Sequence, residues 1–202
     1  MEFHQRLGQD GPARRFLKIE HRRLLRGPNR HEIIQGLNVE TYSVRTDGNA
    51  AQVVERVKEV MILVNEQDQT KPWPSEDEWL NLLPAWFVDC CKPGGTTEED
   101  ERRYERLRAM SEEEERAHGY TEQGEVSDWI GWFSPDEREW LWWDAKVKDS
   151  NRFVVGLDRL TDHYPIFPGG FVWLLTVCGA VDVCTAAPSE ETVLFPLLAE
   201  DS

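Results

Sequence analysis

Residues 137–153, EREWLWWDAKVKDSNRF, place Trp140, Trp142 and Trp143 within four consecutive positions. Indoles at this density either fill a core or form a surface that something else covers, so this stretch constrains the fold more than any other. Successive side chains of a strand point to opposite faces. Leu141, Trp143, Ala145 and Val147 therefore share one side, and Trp140, Trp142, Asp144, Lys146 and Lys148 share the other. With KDSNR as the turn, Val147 pairs with Phe153, Ala145 with Val155 and Trp143 with Leu157. That register gathers the apolar residues of both strands on one face, and a one-residue slip would scramble them. The expectation is a buried face of Trp143, Val147, Phe153, Val155 and Leu157 under a helix at 171–178. Trp140 and Trp142, on the mixed face, are expected to lie under acidic helices. Left uncovered, they would form an interaction surface, because tryptophan anchors dominate binding hot spots.

The flanking pattern extends this hairpin into an α+β fold. Ser134-Pro135-Asp136-Glu137 has the residues of a helix start and predicts a short helical turn before the strand at Trp140. PGGFVWLLTVCG reads as a nearly all-apolar helix closed by Gly179, and AVDVCTA as a last short strand. The C-terminal unit is thus strand, strand, helix, strand, in a small antiparallel or mixed sheet. Upstream, Val39 to Val44 alternate as a strand that ends at Asp47-Gly48. Ala50, Val53, Val54, Val57 and Val60/Met61 then recur at helical spacing. Ser75 with Glu78 forms a capping box ahead of Trp79, Leu80, Leu82 and Leu83, and Pro84 interrupts that helix. Between residues 96 and 125 the chain is densely charged. Glu98/Arg102 and Glu99/Arg103 are favourable i,i+4 pairs, and Ser111 with Glu114 repeats the capping box, giving a solvated helical hairpin.

Charge is divided unevenly along the chain. The total is -15, yet residues 1–50 carry 9 Lys and Arg against 6 Asp and Glu, whereas residues 51–202 carry 14 against 32. All nine tryptophans follow residue 72. This predicts a basic N-terminal helical arm, residues 1–35, on a single acidic, Trp-rich α+β domain, residues 36–202. In the arm, Arg15, Lys18, Arg22 and Arg26 follow one another at helical steps as a basic stripe, which either meets nucleic acid or an anionic surface, or belongs to a solvated helix that docks on the acidic body or frays.

The longest apolar run, Phe171 to Ala180, is too short to span a bilayer, and the N-terminus lacks the apolar core of a secretory signal. Four cysteines, two of them adjacent, form no framework and suggest reduced thiols in the cytoplasm.

Candidate chemistry is sparse. His163, close to Asp158 and Asp162, is a possible general base for a small cytoplasmic hydrolase, but no nucleophile or oxyanion loop accompanies it. Cys90, Cys91, His118 and His163 match no zinc-ligand spacing, and no cofactor or metal is implied. The Gly-Gly of FPGGF precedes a helix, but the rest of a phosphate loop is missing. The reading favoured by charge is a non-enzymatic acidic module that binds a basic protein, as an immunity or inhibitor protein binds a toxin or nuclease. A body this acidic repels nucleic acid and attracts proteins that themselves bind it. Partner contact is assigned to Trp140 and Trp142 as anchors and to Glu112, Glu113, Glu114 and Glu115 as steering charges. A small hydrolase at Asp158/His163 is the alternative.

Overall fold

A computed structural model of the chain describes residues 16–29, 31–32, 39–68, 72–91, 102, 105, 109, 125–135, 138–160 and 169–186. Among them are six helices: α1 (Leu17–Arg26), α2 (Ala50–Asp68), α3 (Glu76–Leu82), α4 (Ala85–Val88), α5 (Val126–Phe133) and α6 (Gly169–Cys178). Four strands, β1 (Val39–Thr46), β2 (Trp140–Asp149), β3 (Arg152–Arg159) and β4 (Ala180–Thr185), form one antiparallel sheet in the order β2-β3-β1-β4. Because β3 is antiparallel to both β1 and β2, those two strands are parallel and split by β3; likewise β3 and β4 are split by β1. This is the double split βαβ arrangement, also called ferredoxin-like. The expected strand and helix positions from β1 to α2 and from β2 to β4 are found, as are the Ser75–Glu78 capping box and the break at Pro84. No helix among the described residues is long and apolar enough to cross a membrane.

The larger core lies on one face of the sheet. Val44 and Tyr42 of β1 and Phe153, Val155 and Leu157 of β3 meet Val53, Val57, Val60 and Met61 of α2 and Phe171, Leu174 and Leu175 of α6 in one continuous core. Gly179, at φ +117°, takes a backbone conformation that L side chains rarely adopt and turns α6 directly into β4. A Cβ there would also lie 3.2 Å from Val53 on α2.

The hairpin register departs from expectation at one point. Val147 pairs with Phe153 and Ala145 with Val155 as predicted, but Leu157 faces Trp142, not Trp143. Between Trp142 and Asp144 an extra residue enters β2 as a bulge, which reverses the side-chain alternation beyond it. Trp140 and Trp142 consequently point into the main core, where each packs on Phe171, at 5.1 and 6.2 Å between ring centroids. Trp143 is still buried, but on the opposite face with Val154 and Ala186. Val147, expected in the core, is 47% exposed: from Lys146 to Asp149 this edge strand lies in solvent. The tryptophans are covered by α5 and α6; nearly all of the charged segment expected to cover them lies outside the described residues.

The N-terminal helix is docked on the body. α1 packs on β2 and α2 and buries Leu17, Glu20, Arg23 and Leu24, one side of its surface. Of the basic stripe, Lys18 and Arg26 are exposed, Arg22 holds Glu32 and the Gly27 carbonyl, and Arg15 lies outside the described residues. Glu20 is fully buried and binds three elements at once. It receives both terminal nitrogens of Arg138 (3.2 and 2.6 Å), the Asn65 amide (2.7 Å) and the Trp142 backbone N–H (2.7 Å). A carboxylate thus satisfies an N–H on the outer side of an edge strand, a place where pairing with another chain is otherwise invited.

Candidate functional site

Two of the sequence-derived anchors are not surface residues. Trp140 and Trp142 are both buried in the core, and a partner's pocket can only take an indole that solvent reaches. Glu112, Glu113, Glu114 and Glu115, the expected steering charges, lie outside the described residues. Of the hydrolase candidates, His163 and Asp162 lie outside them as well. Asp158 accepts from Arg23 at 2.7 Å. Arg23 in turn stands over the Trp143 ring, 4.5 Å from its centroid, and donates to Glu32 at 3.0 Å. Burial pushes the Glu32 carboxyl up, but the Asn29 N–H, Arg23 and Arg22 outweigh it and hold it below its ordinary value. Asp158 is therefore part of a charge network that seats α1.

Cysteine chemistry is equally constrained. All four cysteines are free. Burial, with Cys90 beside it, pushes the Cys91 thiol up to about 12, and burial raises the Cys178 thiol too. Such thiols stay protonated at neutral pH and are poor nucleophiles. His118, like His163, lies outside the described residues. No group of three His, Cys, Asp or Glu side chains that could hold a metal occurs among the described residues.

What the fold does bring together is aromatic. Trp73 leans on Trp79 (5.0 Å), Trp79 on Trp129 (6.4 Å), and Trp129 stacks on Phe133 (4.6 Å). Phe133 continues through Trp140 and Phe171 to Trp142. Phe87 joins Trp86, Trp129 and Trp173 to the same network. Edge-to-face and tilted contacts of this kind let the positive ring edge meet a negative face, and they stabilise beyond simple burial.

One indole of this network emerges. Trp132 on α5 is 46% exposed, while its inner side rests on Trp173 at 6.3 Å. Gly170 makes that seat possible: a Cβ there would stand 2.8 Å from the Trp132 Cβ. The second glycine of the Gly-Gly at the start of α6, Gly170, is accounted for by this close approach of two helices. Asp128, one turn before Trp132 on α5, is also exposed, and its carboxylate accepts from the Glu125 N–H at 3.3 Å. An indole held from behind with a carboxylate one turn away suits a cationic, partly apolar contact. The sequence carried this signal in the spacing of Val126, Trp129, Ile130 and Phe133, the four buried residues of α5, which leaves Asp128 and Trp132 facing out.

Comparisons with known proteins returned no match to a family model, to a curated protein or to a solved structure.

Proposed function

We propose that the chain is a non-enzymatic acidic module that captures a basic protein, in the manner of an immunity or inhibitor protein that neutralises a toxin or nuclease. The observation that carries this reading is Trp132: a half-exposed indole backed by Trp173, one turn from Asp128, on a chain of net charge -15. In this reading Trp132 takes the anchoring role first assigned to Trp140 and Trp142, and Glu112 to Glu115 remain the steering charges. Steering by exposed carboxylates acts on the association rate and is screened by salt, whereas an indole in a partner's pocket acts on dissociation.

The immobilised full chain, exposed to native extract at low salt, should retain a basic protein. With that partner purified, Trp132→Ala should speed dissociation by about thirtyfold, the equivalent of about 2 kcal/mol at a hot spot. Neutralising Glu112 to Glu115 should slow association and flatten its salt dependence. Failure to retain any basic protein, with turnover of a small ester or amide that His163→Ala abolishes, would replace this reading with the hydrolase.

A further inference from the structure

We propose that the groove between Trp73 and α3 is a receptor for a guanidinium or ammonium side chain. This rests on the preceding reading only for the source of that side chain, an arginine or lysine of the basic partner. The groove has a volume of about 520 Å³ and is lined by Gln67, Trp73, Glu78, Asn81, Leu82 and two prolines. That volume lies within the usual range for ligand sites, about 300–1,000 Å³, so it accommodates a short stretch of chain around the side chain.

The lining selects for charge. Pro72 and Pro74 have no backbone N–H to offer an anion. Glu78 uses Oε2 to accept from the Ser75 N–H (2.7 Å) and the Ser75 hydroxyl (2.8 Å), which leaves Oε1 open. Those same two bonds hold its carboxyl below its ordinary value, so it is ionised at neutral pH. Asn81 spends one amide N–H on the Asp77 carbonyl (2.7 Å), which fixes the amide and leaves its side-chain oxygen as an acceptor beside the second N–H. Trp73 is half-buried and held from behind by Trp79, 5.0 Å away. An indole, a carboxylate oxygen and an amide oxygen around one groove are the parts of a cation site, since a cation gains from a ring face and from acceptors together. Exposed Glu76 and Asp77 on the same helix add to the negative field.

The probe is a blocked pentapeptide with a central arginine, compared with the same peptide carrying citrulline, which keeps the shape and loses the charge. Binding to the full chain is followed by NMR shifts of the Trp73 indole and the Asn81 side-chain amide. The arginine peptide is expected to shift both signals and to bind about tenfold more tightly than the citrulline peptide. Glu78→Gln should remove most of that difference with only a small fall in melting temperature, because glutamine also serves in a capping box. Trp73→Leu should weaken binding about fivefold. Equal binding of the two peptides, shifts confined to Trp132, or binding of a neutral oligosaccharide in preference to the arginine peptide would overturn the cation site. The two proposals fail separately. A groove that ignores arginine while Trp132→Ala still releases a basic protein refutes only the cation site. A groove that binds arginine in a chain that retains no basic protein refutes only the capture reading.

Discussion

Strand β2 separates two regions that are held together by opposite means, and Trp142 belongs to both. Its backbone N–H donates to Glu20 on the α1 side, and its indole packs on Phe171 on the α6 side. Toward α1, beside the buried Leu17 and Leu24, the contacts are charged: Glu20 with Arg138, then Arg23 with Glu32 and Asp158. Toward α5 and α6 they are aromatic and apolar. Aromatic packing supplies free energy through area and is tolerant of small shifts. A buried ion pair supplies little net energy, because desolvation offsets attraction, yet it penalises every arrangement that separates the charges. The aromatic side therefore makes the body stable, and the charged side decides where α1 may sit.

Deletion of residues 1–32 should have the largest effect. This removes Leu17, Leu24 and the counter-charge of a fully buried Arg138, and should cost about 5 kcal/mol or more, enough to unfold a marginal domain. A melting temperature unchanged by deletion would show that α1 is an appendage despite its docking.

Next come two single changes of equal size and different character. Trp129→Ala empties the middle of the ring network and should cost about 3–5 kcal/mol. Glu20→Ala leaves Arg138 buried without its partner and should also cost about 3–5 kcal/mol. The double change Glu20→Met with Arg138→Met should recover most of the second loss, since no charge is then stranded, whereas no second change restores the first. Urea unfolding of all three separates the two regions; a double variant no better than Glu20→Ala would show that the pair supplies stability in its own right.

Gly170→Ala tests the aromatic side more gently. The new Cβ overlaps Trp132 and should cost about 1–3 kcal/mol while shifting the Trp132 side-chain resonances. Its counterpart is Gly131→Ala on α5, where a Cβ meets nothing within 4 Å. That change should stabilise by up to about 1 kcal/mol, through helix propensity alone.

The smallest effect is the pH dependence that Glu32 contributes on the charged side. The folded Glu32 carboxyl lies below its ordinary 4.5, so its stabilisation is fully present above that value and is lost as pH falls through the folded one. Glu32→Gln should therefore be less stable than the parent at pH 6, and the gap should close on acidification below 4.5. A gap that persists undiminished at low pH would remove Glu32 as its source.

The regular elements were legible because they depend on neighbours in sequence. Alternation located β1, β2 and β3, the spacing of Val53, Val54, Val57 and Val60 located α2, and Gly179 marked the end of α6. Asp128 and Trp132 were readable in the same way from the α5 pattern. The groove was not, because Gln67, Trp73 and Asn81 come from three separate segments.

Tertiary structure alone decided three matters. The extra residue at Trp143 exchanged the faces of three tryptophans, since a period of two records alternation but not where it is interrupted. Burial on both faces at the start of β2 removed the contrast between core and solvent that alternation relies on. Glu20 looked like an ordinary acid in a basic helix, and its partner Arg138 lies 118 residues away. By itself, the sequence determined the local elements and the overall charge, which are properties of short segments and of sums. Which indole faces which core, and which charges meet, depends on how distant segments pack, and neither short-range spacing nor composition encodes that.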